Sequence, residues 1–178
     1  MDGTRPGLSQ VVLKTMVTHT VTYFVTGFVA LVVFDYARLY ADPAVRGMMR
    51  QTTDSLVMAG PLFQPLRGCL YGVVFFLLRD TLLRHRRGWL VAWTVLVGVG
   101  VLGTFGPCVG SIEGLIYTVF PLWFHVMGLP EVVLQALLLS TIACYWVGNP
   151  QRKWVTRVMT AAFVIVLALP VLGLLARP

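Results

Sequence analysis

Apolar residues in this chain neither alternate nor recur at helical steps beside polar ones. They run in long, nearly unbroken stretches separated by short polar turns. Stretches of about 18 or more apolar residues read as transmembrane helices, because only a fully hydrogen-bonded segment of that length crosses lipid. The pattern predicts five such spans, at about residues 16–36, 66–83, 89–105, 129–147 and 154–176. The expected fold is therefore all-α, a polytopic transmembrane helix bundle forming one integral membrane domain over residues 1–178.

Two further segments fit no span. Around residues 43–60, Asp42 and Pro43 read as a helix start. Arg46 and Arg50 there face one way and Val45, Met48 and Met49 another, as in a helix lying among lipid headgroups. Gly60, Pro61 and Pro65 should break the backbone before the second span. Around residues 111–127 the chain is apolar but cut by Gly114 and Pro121. A run of about a dozen apolar residues suits a re-entrant or interfacial segment better than a span.

Local detail qualifies each span. The first is too long for a signal-peptide core of about 7–15 residues and no A-x-A site follows it, so an uncleaved anchor is expected. Its Thr15, Thr18, Thr22 and Thr26 form one stripe beside His19. A packing face is the simpler reading of that stripe, and a polar pathway the other. Arg67 and Arg79 sit near the ends of the second span, where long side chains reach headgroups. Gly98, Gly100 and Gly103 end the third and would let another helix approach. Pro130 opens the fourth, and Pro170 should kink the fifth.

Composition narrows the class. The 178 residues are 57% hydrophobic and 12% charged, against about 25% charged in soluble domains. So short a soluble chain would expose too much apolar surface. The net charge of +7 sits in clusters between apolar runs, which points to anionic lipid headgroups rather than nucleic acid. Arg84, Arg86 and Arg87, with Arg152, Lys153 and Arg157, mark cytoplasmic turns. The N-terminus is then cytoplasmic and the C-terminus outside, in what reads as a bacterial plasma membrane. Arg38, Arg46, Arg50 and Arg67 in the first outer loop run against this rule, partly offset by Asp35, Asp42 and Asp54. The three cysteines, Cys69, Cys108 and Cys144, form no CxxC pair and lie in apolar surroundings.

Candidate chemistry gathers in the loop between the third and fourth spans. Glu113 is the only Asp, Glu, Lys or Arg between Gly88 and Pro130. Ser111 reads as a helix cap, which places Glu113 in a first turn that favours a carboxylate. A carboxylate among apolar neighbours is also a proton-transfer or cation-binding group. Glu113 and His125 are the catalytic candidates. Arg67, Glu131 and Gln135 are binding candidates at the same depth, and Arg46 and Arg50 are candidates for lipid headgroups. The spacing matches no metal motif, and no P-loop, HExxH, GxSxG or dinucleotide fingerprint occurs, so no metal or cofactor is expected. Three functions stay open. The first is a small membrane component that binds lipid or a protein partner, including a second copy. The second is an enzyme acting on a lipid or lipid-linked substrate at the outer face, and the third a carrier or channel for a small solute.

Overall fold

The computed structural model describes residues 5–176. Every regular element among them is helical, and the single β-bridge joins Arg46 to Met49. Ten α-helices follow in order: α1 Leu8–Val33, α2 Tyr36–Ala41, α3 Ser55–Met58, α4 Gly60–Leu77, α5 Arg79–Arg84, α6 Gly88–Val97, α7 Ile112–Tyr117, α8 Leu122–Met127, α9 Leu129–Gly148 and α10 Lys153–Leu175. A π-helical turn, Gly98–Leu102, extends α6.

Helix α1 is the hub, packing against α4, α9 and α10, while α6 packs on α9. Its threonines Thr15, Thr18, Thr20, Thr22 and Thr26 are buried. Thr18, Thr20, Thr22 and Thr26 each donate to the carbonyl one turn back at 2.8–2.9 Å. The hydroxyls are thus satisfied within the helix, and the stripe is a contact surface. Of these hydroxyls, that of Thr15 has no hydrogen-bond partner among the described residues. Against this surface α4 presents Gly68 and Gly72. A Cβ on Gly68 would come within 2.7 Å of Met16 Cα, and one on Gly72 within 2.6 Å of Val12 Cα. The two backbones touch, which only the small-x-x-x-small spacing permits. Leu139, Ala143 and Val147 of α9 complete the main core with Val11, Phe75, Leu82 and Ala92.

The rods alternate in direction between two ends. Arg5 and Pro6 before α1, Arg79 to Arg84 of α5, and Gly148 to Gln151 after α9 line one cleft at the basic end. Tyr36 and Tyr40 of α2, Cys108 and Val109 of the loop before α7, and Gly128 to Val132 line another at the opposite end. Helix α10 starts near the basic end and finishes beside α3, where Met58 approaches Gly173.

Several expectations need correction. Three helical stretches, not five, are long and apolar enough to cross a membrane: Leu8–Val33, Leu122–Gly148 and Lys153–Leu175. The predicted second span is two helices, α4 and α5, broken at Leu78, and α6 with its π turn covers only Gly88–Leu102. Helix α1 starts eight residues ahead of the predicted span, because the Lys14 ammonium is satisfied inside it: it donates to Trp146 O at 2.8 Å and lies 5.5 Å from that indole's centre. Gly60 and Pro61 begin α4 instead of ending a segment, since a proline in the first turn gives up an N–H that has no helical partner anyway. No helix occupies 43–54. The Asp42 carboxylate accepts from Ala44 N and its carbonyl from Val45 N and Arg46 N, which closes a turn, and Gly47 follows with a φ of 91°. Short helices flank this turn instead, α2 before it and α3 after it. The 111–127 segment is broken as expected, into α7 and α8 on either side of Thr118 to Pro121.

Candidate functional site

Helix α1 carries one strongly polar ring, His19, at its middle. It is 1% exposed. Gln64 of α4 accepts from His19 Nε2 at 3.1 Å, and Gln135 of α9 donates to His19 Nδ1 at 3.4 Å. One nitrogen donates and the other accepts, so this network holds the neutral Nε2–H tautomer. Tyr71 closes the ring's flank edge-on at 4.9 Å. Gln64 Nε2 is itself bonded to Gly60 O at 3.2 Å. Three helices are thereby tied at one level by a buried polar contact that lies beneath a cavity.

That cavity, about 110 Å³, is walled by His19, Tyr23, Arg67, Tyr71, Glu131 and Gln135 among others. A second one, about 300 Å³, continues it toward the end opposite the basic turns and is faced by Tyr36, Tyr40, Phe124 and Cys108. Arg67, Gly100, Val101, Glu131 and Val132 belong to both. The π turn of α6 supplies Gly100 and Val101 to this shared wall. Such turns widen a helix locally and recur at functional sites.

Glu131 sits in the first turn of α9 behind Pro130, where the helix dipole favours its charge. Tyr36 OH donates to Glu131 Oε2. Its other oxygen lies over Gly27, where an added Cβ would stand 3.4 Å from Oε1. Asp35, at φ 47°, turns the chain out of α1 and caps α2, so Tyr36 and Tyr40 stack at 5.2 Å on one face of that helix. Burial, then the hydrogen bond to Glu131 and that residue's charge, push the Tyr36 phenol above the usual tyrosine range. Tyr40 is pushed the same way by burial first and Glu131 second. Both therefore act as neutral phenols beside Glu131.

Arg67 faces the same space from α4. Its Nε donates to Tyr71 OH at 2.9 Å, and its guanidinium lies 5.5 Å from that ring's centre. It makes no ion pair with Glu131: the ion pairs among the described residues are Arg50–Asp54 and Arg84–Asp80. The site thus holds an acid and a base that look into one space and leave each other alone.

Of the sequence candidates, Arg67, Glu131 and Gln135 meet here. Glu113 and His125 do not line either cavity. Ser111 caps α7 as expected, accepting from Gly114 N at 2.9 Å, and Glu113 occupies that first turn. His125 is 2% exposed and clamps the loop: Nδ1 accepts from Gly110 N at 3.0 Å, and Nε2 lies 3.3 Å from Thr118 Oγ1. Thr118 Oγ1 in turn donates to Gly114 O at 2.7 Å. The histidine therefore holds the wall that carries Cys108 and Val109. Arg46 and Arg50 are exposed on the turns before α3, and Arg50 pairs with Asp54 at 3.0 Å. No group of three or more His, Cys, Asp or Glu that could hold a metal ion occurs among the described residues. The partners missed in sequence are Gln64, Tyr71, Tyr23, Tyr36 and Tyr40. Their signals were a glutamine inside an apolar run and tyrosines one helical turn apart. The chain matches no family model, no curated protein and no solved structure.

Proposed function

We propose that this chain is a five-span integral membrane protein that binds a lipid headgroup in the pocket between Arg67 and Glu131. The basic turns face the cytoplasm and the anionic headgroups there, and the pocket opens to the outer leaflet of a bacterial plasma membrane. The N-terminus is inside and the C-terminus outside. In this reading α4 with α5, and α6 with its π turn, complete the crossing alongside the three long apolar helices. Shielding by neighbouring helices, and side chains that reach the interface, let such short segments serve.

The observation that carries the reading is the unpaired acid and base on one cavity wall. Arg67 is exposed and Glu131 half-buried, so a ligand in this space can reach both. Two charges kept apart across an open space suit a ligand that neutralises both. The wall is also largely apolar and aromatic, as a site that takes a headgroup at the edge of lipid requires. No chemical step is assigned, because Glu113 and His125 stand away from the cavity. The test is lipid retention. Full-length protein purified in mild detergent should carry about one tightly held lipid per chain. The Arg67→Ala, Glu131→Gln double variant should lose it while keeping its helical content. Equal retention by the double variant would remove the proposal.

A second reading, docking of a protein partner or a second copy, has its own support. At Gly98 and Gly100 an added Cβ would meet nothing within 4 Å, so glycine there is not needed for packing within the chain.

A further inference from the structure

The pocket's two ends differ in chemistry, and that difference specifies a ligand. At one end stands a guanidinium, which pairs phosphate or carboxylate oxygens through a planar fork of donors. At the other stands Glu131, with one oxygen bonded to Tyr36 and the other, Oε1, given no hydrogen bond by any described residue. The Tyr40 hydroxyl, which lines the same cavity, and that of Tyr23 beneath it likewise have no hydrogen-bond partner among the described residues. These are acceptors waiting for a donor. A quaternary ammonium carries the charge but has no N–H, so it would leave these acceptors without a donor. A primary ammonium brings three N–H donors and one positive charge, matching a free carboxylate oxygen and nearby phenol oxygens.

Resting on the lipid-binding reading above, we infer that the pocket takes a dipolar group with a phosphate at Arg67 and a primary ammonium at Glu131 and its tyrosines, the chemistry of a phosphoethanolamine headgroup. Acyl chains would leave through the open, apolar side of the larger cavity, past Leu39, Met49 and Met127. The neutral His19, bonded to both glutamines, floors the pocket without adding charge, so the ligand's two charges meet only their partners.

The experiment compares apparent melting temperatures of the full-length protein in detergent with four additions. These are short-chain phosphatidylethanolamine, phosphatidylcholine, phosphatidylglycerol and soluble phosphoethanolamine. Phosphatidylethanolamine should raise the midpoint by several degrees more than the other two lipids. Glu131→Gln should reverse the order in favour of phosphatidylglycerol, because Arg67 then faces an uncompensated cavity. A reversed preference cannot arise from poor folding, and the wild-type ranking stands alone if the variant fails to fold. Stabilisation by soluble phosphoethanolamine equal to that by its lipid would uphold the recognition chemistry and assign it to a soluble source. Equal shifts by all three lipids would overturn the inference while leaving lipid binding in place. No shift by any lipid would overturn both.

Discussion

Tyr36 shows how much one hydroxyl can decide. It is the group through which α2 is attached to the start of α9, by its bond to Glu131. Because burial and the carboxylate favour its neutral form, its folded-state pKa lies above the ordinary value of 10.0. The sign follows: a folded state that keeps a proton the unfolded state has lost is destabilised as pH climbs. The contribution is complete below pH 10 and lost above it. Tyr36→Phe should lower stability near neutral pH by about 1 kcal/mol, the net worth of one hydrogen bond. It should also flatten the decline measured by thermal unfolding between pH 10 and 11.5. An unchanged alkaline slope would mean that Tyr36 titrates freely. Asp54 behaves oppositely. The Leu56 N–H, then Arg50, hold its carboxyl below the usual range, so the help it gives α3 is lost as pH falls through the acid range.

Among the elements, the α1–α4 pair bears the most weight. Gly68 and Gly72 allow backbone contact along the threonine face, and no side chain larger than hydrogen fits at either position without movement. Gly68→Val should destabilise the protein by about 1–3 kcal/mol or more, as overpacking does. Gly98→Val, facing open space, should stay within about 0.5 kcal/mol. Chemical or thermal unfolding of the two variants side by side checks the contrast, and equal losses would deny the close contact. This pair also shows what was legible in the sequence. The apolar runs announced helices, and the threonine stripe announced a packing face, because both follow from local periodicity. The Ser111 cap and the break at Pro121 were visible for the same reason. The turn that replaces the expected helix after Asp42 was not, because Asp42 offers its carbonyl and carboxylate to a turn as readily as to a helix start. The Gly68 spacing passed unread beside more conspicuous glycines at 98, 100 and 103. Of the site, the charged members Arg67 and Glu131 stood out by their rarity. Gln135 was a candidate too, but Gln64 was not, and its meeting with His19 and Gln135 was hidden because it depends on how three distant helices are rotated.

At the scale of the molecule, charge and polarity separate along the helix axes. The basic turns after α5 and around the start of α10 occupy one end, with Trp89 and Trp154 beside them on a cleft of about 780 Å³ that also holds Arg86 and His85. The carboxylate, the tyrosines and Arg67 occupy the other. Lys and Arg near spans are retained on the cytoplasmic side, so in the proposed topology the pocket opens outward. Cys108, exposed on the pocket's loop wall, reports that directly. The decisive measurement treats intact cells expressing the Cys69→Ser, Cys144→Ser variant with a membrane-impermeant maleimide. The account predicts that Cys108 is labelled without permeabilisation, and more slowly when phosphatidylethanolamine is abundant. Labelling that occurs only after the membrane is opened would place the pocket on the cytoplasmic side and contradict the outward-facing headgroup site.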